Sequence, residues 1–202
     1  MVSSDNQANE VKALAKALGV LRPKDLADRK IPRTVLSRLC EKGEMTRTGR
    51  GLYIVSAENV TENHSFAEVA RAVPHGVICL LSALRYHGLT TQLPGDVWLA
   101  IGSHARRPKE RAVSIRPIHF SKETLKEGVE IHEIEKVKVK IFNPAKTVAD
   151  CFKHRNKIGT DVAIEALREC WQKKKATSDE LWRFAKICRV SNVMQPYLES
   201  IV

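Results

Sequence analysis

The chain of 202 residues contains no apolar run approaching the roughly 20 residues that would span a bilayer. Its first residues, from Met1 to Val11, lack the basic-then-apolar order of a secretion signal. The expectation is a cytoplasmic protein with no membrane partner. There is no Cys-x-x-Cys pair. The five cysteines, Cys40, Cys79, Cys151, Cys170 and Cys188, are odd in number and widely spaced, which argues against a disulfide framework and against a zinc ribbon or finger. They read as small apolar core residues. The seven histidines are scattered without metalloprotease or finger spacing, so no metal is expected. The Gly-x-Ser-x-Gly elbow, the P-loop and the Gly-x-Gly-x-x-Gly fingerprint are all missing. A nuclease pattern also fails: Asp96 has no strand after it with a Glu-x-Lys or Asp-x-Lys, and Glu133, Glu135 and Lys136 stand at the wrong spacing. No catalytic residue, no cofactor and no enzymatic activity are therefore expected. Internal repeats, low-complexity stretches and heptads are absent as well.

Positive charge, by contrast, is plentiful. Lysine and arginine number 34 against 23 acidic residues, a formal net charge of +11, in a chain that is 43% hydrophobic. Such a chain can build a core, and its field favours polyanions such as nucleic acid or acidic lipid. The charge gathers near the N-terminus: from Arg22 to Arg50 there are nine basic residues against four acidic ones.

That region reads element by element. Val11, Leu14, Ala15 and Leu18 form one stripe of a helix that Gly19 ends. The stretch Arg22–Lys30 offers a short second helix with Pro23 at its start and Leu26 inward. Pro32 suits the first turn of a third helix, on which Val35, Leu36, Leu39 and Cys40 point inward while Thr34, Ser37, Arg38 and Glu41 point out. Gly43 ends it. Two extended segments, EMTRT and LYIV, follow, joined around Gly49-Arg50-Gly51, which would carry Arg50 to a hairpin tip. Three helices and a hairpin with nothing spare between them predict a winged helix-turn-helix. In that motif base-reading residues cluster at the front of the recognition helix. Here they are Arg33, Thr34, Ser37 and Arg38, with Arg22, Lys30, Lys42, Arg47, Thr48 and Arg50 placed to hold phosphates. Glu41 and Glu44 weigh on the other side, since both would stand near phosphates.

The segment IPRTVLSRLCEKGEMTRTGRGLY resembles the N-terminal part of AbiEi-type antitoxins, the transcriptional regulators of type IV toxin–antitoxin systems, through Pro32, Arg33, Leu36, Arg38, Leu39, Gly43, Arg47, Gly49, Arg50, Gly51 and Tyr53. Ile31 stands where that family often has an aromatic residue. The resemblance continues in LSALRYHGLTTQLP through Ser82, Ala83, Leu84, His87, Gly88 and Leu89. It is strongest in NPAKTVADCFKHRNKIGTDVAIEALRE, through Pro144, Lys146, Thr147, Asp150, Arg155, Lys157, Gly159, Ala163 and Leu167. It implies a regulator that represses its own operon and a C-terminal part that acts as antitoxin. It also implies that a nucleotidyltransferase-like toxin is neutralised without a stable complex.

Residues 57–64 are polar and unpatterned and read as a linker between a DNA-binding domain, 1–56, and an antitoxin domain, 65–202. In the second domain Ser65 and Glu68 have capping-box spacing. VICLLSALRYHGL reads as one apolar helix, and VWLAI, VSIRPIHF, VEIHEI and VKVKIF as strands of one sheet. Asn143 is a good N-cap with Pro144 behind it, Thr177 and Glu180 form a further capping box, and a short helix from Pro196 to Ser200 closes the chain. Lys146 and Asp150, four apart, read as a surface pair that together with Arg155, Lys157 and Arg168 would offer an antitoxin surface. The expected fold class is α/β (α+β): an N-terminal winged helix-turn-helix followed by a mixed domain of a small sheet and several helices. The expected partners are double-stranded operator DNA, as inverted repeats, and the toxin. Two other readings stand beside this one: a winged helix that binds a protein, and an RNA-binding antitoxin acting on the toxin's RNA substrate.

Overall fold

The computed structural model describes residues 4–56, 61–108 and 113–201. It has a mixed α/β fold with two compact units. The first comprises Met1–Pro74, Lys109–Ser114 and Glu133–Val139, and the second His75–Pro108, Ile115–His132 and Lys140–Val202.

In the first unit, helix α1 (Ser4–Leu18) buries Val11 and Ala15, the centre of the expected stripe. Gly19 ends it at φ 69°, and a Cβ there would lie 1.8 Å from the Glu135 carbonyl oxygen, so no larger residue fits. The expected second helix is a 3-10 helix, Pro23–Arg29, closed by Lys30 in the left-handed conformation. Helix α2 (Thr34–Glu41) buries Val35, Leu36 and Leu39; its ordered turns start two residues beyond Pro32, whose carbonyl accepts from the Val35 N–H at 3.1 Å. Strands β1 (Met45–Gly49) and β2 (Leu52–Val55) pair antiparallel, with Met45 opposite Val55 and Arg47 opposite Tyr53. A third segment joins this hairpin. Leu21 and Tyr53 exchange backbone hydrogen bonds at 2.8 and 2.9 Å. Val11, Leu21, Leu26, Ile31, Leu36 and Met45 meet in one core, which takes Ile31 without an aromatic ring.

Of the expected linker, 57–60 lie outside the described residues. Beyond them, helix α3 (His64–Ala72) begins at His64 after Asn63, with no side-chain cap. The capping box expected of Ser65 and Glu68 does not form, because Glu68 is buried and faces His64 instead.

The second unit is built around a five-stranded sheet in the order β5-β4-β3-β7-β6. Its strands are β3 (Val77–Ile78), β4 (Val97–Gly102), β5 (Ile115–Phe120), β6 (Val129–Ile134) and β7 (Val137–Phe142). The residues 133–139 at the β6–β7 turn are counted with the first unit. Val77 and Ile78, expected to start a helix, form β3, antiparallel to β4 and parallel to β7. The helix proper, α4, is Leu80–His87. With no turn residue between Ile78 and Leu80, the apolar run gives no local sign of where strand yields to helix. The Ser82 hydroxyl accepts from the Trp98 N–H at 2.9 Å, and His87 Nε2 donates to the Phe142 carbonyl at 2.7 Å. The remaining helices are α5 (Lys122–Lys126), α6 (Pro144–Lys153), α7 (Arg155–Ile158), α8 (Thr160–Gln172), α9 (Ser178–Cys188) and α10 (Ser191–Ile201). Asn143 caps α6 by accepting from the Lys146 N–H at 2.8 Å, and Thr177 with Glu180 forms the expected capping box of α9. The closing helix α10 is longer than expected and carries Pro196 inside it. Helix α6 is central and packs on α4, α8 and α9.

The two-residue turn after β6 has a polar anchor within the first unit. Glu135 accepts from the Thr61 N–H and hydroxyl at 2.8 and 2.9 Å and meets His64 Nδ1 at 2.6 Å, while His64 Nε2 lies 3.4 Å from Glu68. Glu135 and Lys136 both have positive φ, 50° and 64°, a conformation costly for side-chain residues that these bonds help to hold. The Glu68 contact raises the His64 pKa to about 9 against the opposing effect of burial, and Glu135 adds to the rise. Burial works against ionised Glu135 too, yet the bonds from His64 and Thr61 hold it below the usual carboxylate range. Because folding raises the His64 pKa, the stabilisation is full below about pH 6.5 and is lost as the pH climbs through about 9. His64→Gln should cost about 1–2 kcal/mol at neutral pH after allowance for solvent screening. Urea melts from about pH 6 to about pH 10 should show the variant and the parent converging at the alkaline end. A difference that does not change with pH would refute this assignment.

Candidate nucleic-acid interface

The outward side of α2 is built by what its inward side must bury. With Val35, Leu36 and Leu39 in the core, the helical period leaves Thr34, Ser37 and Arg38 exposed, and Arg33 stands exposed just ahead of the first turn. Lys42, at the C-cap, is exposed as well. Arg47 is exposed on β1, and its Nε donates to the Gly49 carbonyl at 3.2 Å, which steadies the side chain along the strand. Arg50 is exposed in the turn, where Gly51 alone supplies the positive φ, 73°. Lys30 is exposed at the end of the 3-10 helix.

Two of the expected contact residues are placed otherwise. Thr48 falls in the register shift between Arg47 and Gly49, and its hydroxyl is buried, so it is not open to a phosphate. The extra residue of a bulge turns its side chain away from the alternation that the strand pattern predicts. Arg22 is held inward: Nη1 donates to the Arg71 carbonyl at 2.6 Å and Nη2 lies 3.5 Å from Asp25. Sequence reading missed Lys12. Its ammonium meets Glu44 at 2.6 Å, and that hydrogen bond holds the Glu44 carboxyl below its usual range. One of the two acidic residues weighed against phosphate contact is thus neutralised from another helix. Nothing local to either residue signals the pairing.

The exposed cations therefore belong to a helix–3-10 helix–helix–hairpin unit. Residues 9–56 match the family described as "Transcriptional regulator, AbiEi antitoxin". This stretch holds α2 and the hairpin complete, so the AbiEi regulator description falls on the elements that carry the exposed arginines. No curated protein matches the chain significantly. Among solved structures, the crystal structure of the RV2827C protein from Mycobacterium tuberculosis aligns with a TM-score of 0.61 at 12% identity. It covers 89% of this chain and 71% of that one, which makes the fold common to both.

In the second unit the expected antitoxin surface divides. Arg155 is half-buried, its Nη1 donating to the Phe152 carbonyl at 2.9 Å; Lys157 and Arg168 are exposed. Lys146 and Asp150 are not a surface pair: both side chains are 0% exposed. The Lys146 ammonium donates to Asp150 and lies 4.2 Å from the Phe142 ring centroid and 4.9 Å from that of Phe120. Cys188 Sγ donates to the other Asp150 oxygen at 3.3 Å. The reason is helical geometry: α6 packs on three helices at once, so its polar i, i+4 pair has no route to water. Burial raises the Asp150 pKa, opposed by Lys146, and burial with the Asp150 charge pushes the Cys188 thiol up to about 12. Among the described residues no group of three or more His, Cys, Asp or Glu gathers as a metal site, and no helix is long and apolar enough to cross a membrane.

A buried pair is costly to break singly and cheap to replace together. Asp150→Ala should lower unfolding stability by about 3–5 kcal/mol, because it strands the Lys146 charge. The double variant Lys146→Met with Asp150→Leu should recover most of that loss in the same urea titration. If the double variant is as unstable as the single one, the ion pair is not what the core depends on.

Proposed function

We propose that the N-terminal unit is a winged helix-turn-helix that binds operator DNA and that the protein is an autoregulating antitoxin of a type IV system. The observation that carries the reading is the exposure of Arg33, Thr34, Ser37 and Arg38 along one buried-core helix, followed directly by exposed Arg47 and Arg50 on a hairpin. A helix of this kind can lie in a major groove, where arginine bonds guanine in a bidentate manner. Cations on the hairpin then grip the flanking backbone and set the register. Occupancy of a promoter by helix and wing excludes polymerase, which is repression by occlusion. The family description of residues 9–56 supports both the regulator and the antitoxin roles.

The chain acts by binding and not by catalysis in this reading, and it works in the cytoplasm. The operator is an inverted repeat taken up by two copies. The antitoxin counters a nucleotidyltransferase-like toxin without forming a stable complex with it. Of the expected antitoxin residues, Lys157 and Arg168 are the ones with exposed charge.

Electrophoretic shifts with the upstream duplex and with a scrambled duplex, at two salt concentrations, test the division of labour. Arg38→Ala should lower discrimination between the two by about 1–3 kcal/mol. Arg50→Ala should weaken both about equally and reduce the salt slope by about one. Equal losses on both duplexes for both variants would count against base reading by α2. Salt-insensitive binding, or none, would remove the DNA-binding reading altogether.

A further inference from the structure

The first unit holds a cleft of about 340 Å³ with four cations in its wall, Arg22, Arg71, Lys136 and Lys138, and apolar side chains including Leu18 and Val137. Every lining residue belongs to that one unit, and no carboxylate lines the cleft. The two arginines are held side by side. Arg22 donates to the Arg71 carbonyl at 2.6 Å, and both guanidiniums turn to a single carboxylate, Asp25. One negative charge is shared by two positive ones. The Nε atoms of Arg22 and Arg71 are both buried without a hydrogen-bond partner, an arrangement that native structures seldom leave unexplained. Burial depresses the Arg71 pKa; Asp25 opposes that and the neighbouring Arg22 charge adds to it. At the rim, Lys136 Nζ donates to the Lys16 carbonyl at 2.5 Å and so keeps its charge in place. Lys138 is exposed, and among the described residues it has no ion-pair partner.

We propose that this cleft binds a phosphorylated small molecule of about mononucleotide size. Guanidinium groups suit phosphate because their planar donors match its oxygens, and Lys138 adds a mobile point charge beside the anchored Lys136. The excess of cations over Asp25 calls for an anion carrying more than one charge. The volume stands at the low end of small-molecule pockets, roughly 300–1,000 Å³. A bare phosphate would leave the Leu18 and Val137 wall uncovered, whereas a ring-bearing phosphate ester would cover it. Arg22 leads directly into the 3-10 helix ahead of α2, so the ligand would sit within the same unit that exposes the α2 arginines. Binding of the ligand itself requires no operator, and the site stands or falls independently of DNA recognition.

Calorimetric titration of the full chain with pyrophosphate, AMP and ADP at physiological salt tests the site. Saturable binding is expected, with the two nucleotides tighter than pyrophosphate. Lys138→Gln should weaken it by about tenfold, as befits loss of one charge-assisted contact. Arg71→Gln should abolish it. Since Arg71 also bonds Asp25, circular dichroism must show that variant folded, and Lys138→Gln carries the test if it is not. Absence of saturable binding to the folded parent, or an affinity unchanged in Lys138→Gln, overturns the proposal. So does a random duplex whose binding depends on Lys138 while none of the small anions binds, because the cleft would then hold backbone phosphate.

Discussion

The presentation of the basic residues depends on one short backbone pairing, Leu21 with Tyr53. An isolated two-stranded hairpin is marginal in water. Here the segment between α1 and the 3-10 helix adds a third strand-like partner, and its side chain enters the same core as Leu26, Leu36 and Met45. The hairpin and α2 are thereby fixed to one apolar centre. Each large side chain in that centre contributes about 1.5–3 kcal/mol by leaving water. The exposed arginines are thus carried on elements whose opposite sides are fully committed to packing, which makes them a fixed array. Fixed charge gives register and specificity, where mobile charge gives only attraction.

Charge is handled differently in the two units. On α2 and the hairpin it is left in solvent. In the second unit the pair Lys146 and Asp150 is taken into the centre and satisfied there by two aromatic faces, a thiol and mutual contact. A buried pair of this kind is weak evidence for stability but strong evidence that neither member can be lost alone. It accounts for why α6 can be central while carrying a lysine and an aspartate on a buried side. The Arg22, Asp25 and Arg71 group lies between these cases: partly buried, and with more cation than anion.

Much of the architecture was legible because its signals are local. Asn143 ahead of Pro144, Thr177 three residues before Glu180, Gly19 and Gly43 after apolar stripes, and the alternation in VKVKIF each act within a few residues of themselves. The exposed members of the candidate interface, Arg33, Thr34, Ser37, Arg38, Lys42, Arg47 and Arg50, were legible for the same reason: helical and strand periods state which side chains oppose the core. Thr48 was not, since one bulge breaks the period. Arg22 was not either, since its partner Arg71 stands 49 residues away.

The sequence alone determined most helix and strand spans, though not the passage from β3 to α4 or the length of α10, and it determined which sides are apolar and where positive charge accumulates. These follow from backbone sterics, capping and hydrophobic period, all short-ranged. Only the tertiary structure decided which polar groups go inside. Lys146 with Asp150 read from the chain as a surface pair, Glu68 as the capping partner of Ser65, and Glu44 as an exposed carboxylate; packing took the first pair out of water, turned Glu68 to His64 and brought Lys12 to Glu44. An ionic group follows its electrostatic surroundings, and those are set by residues tens of positions away.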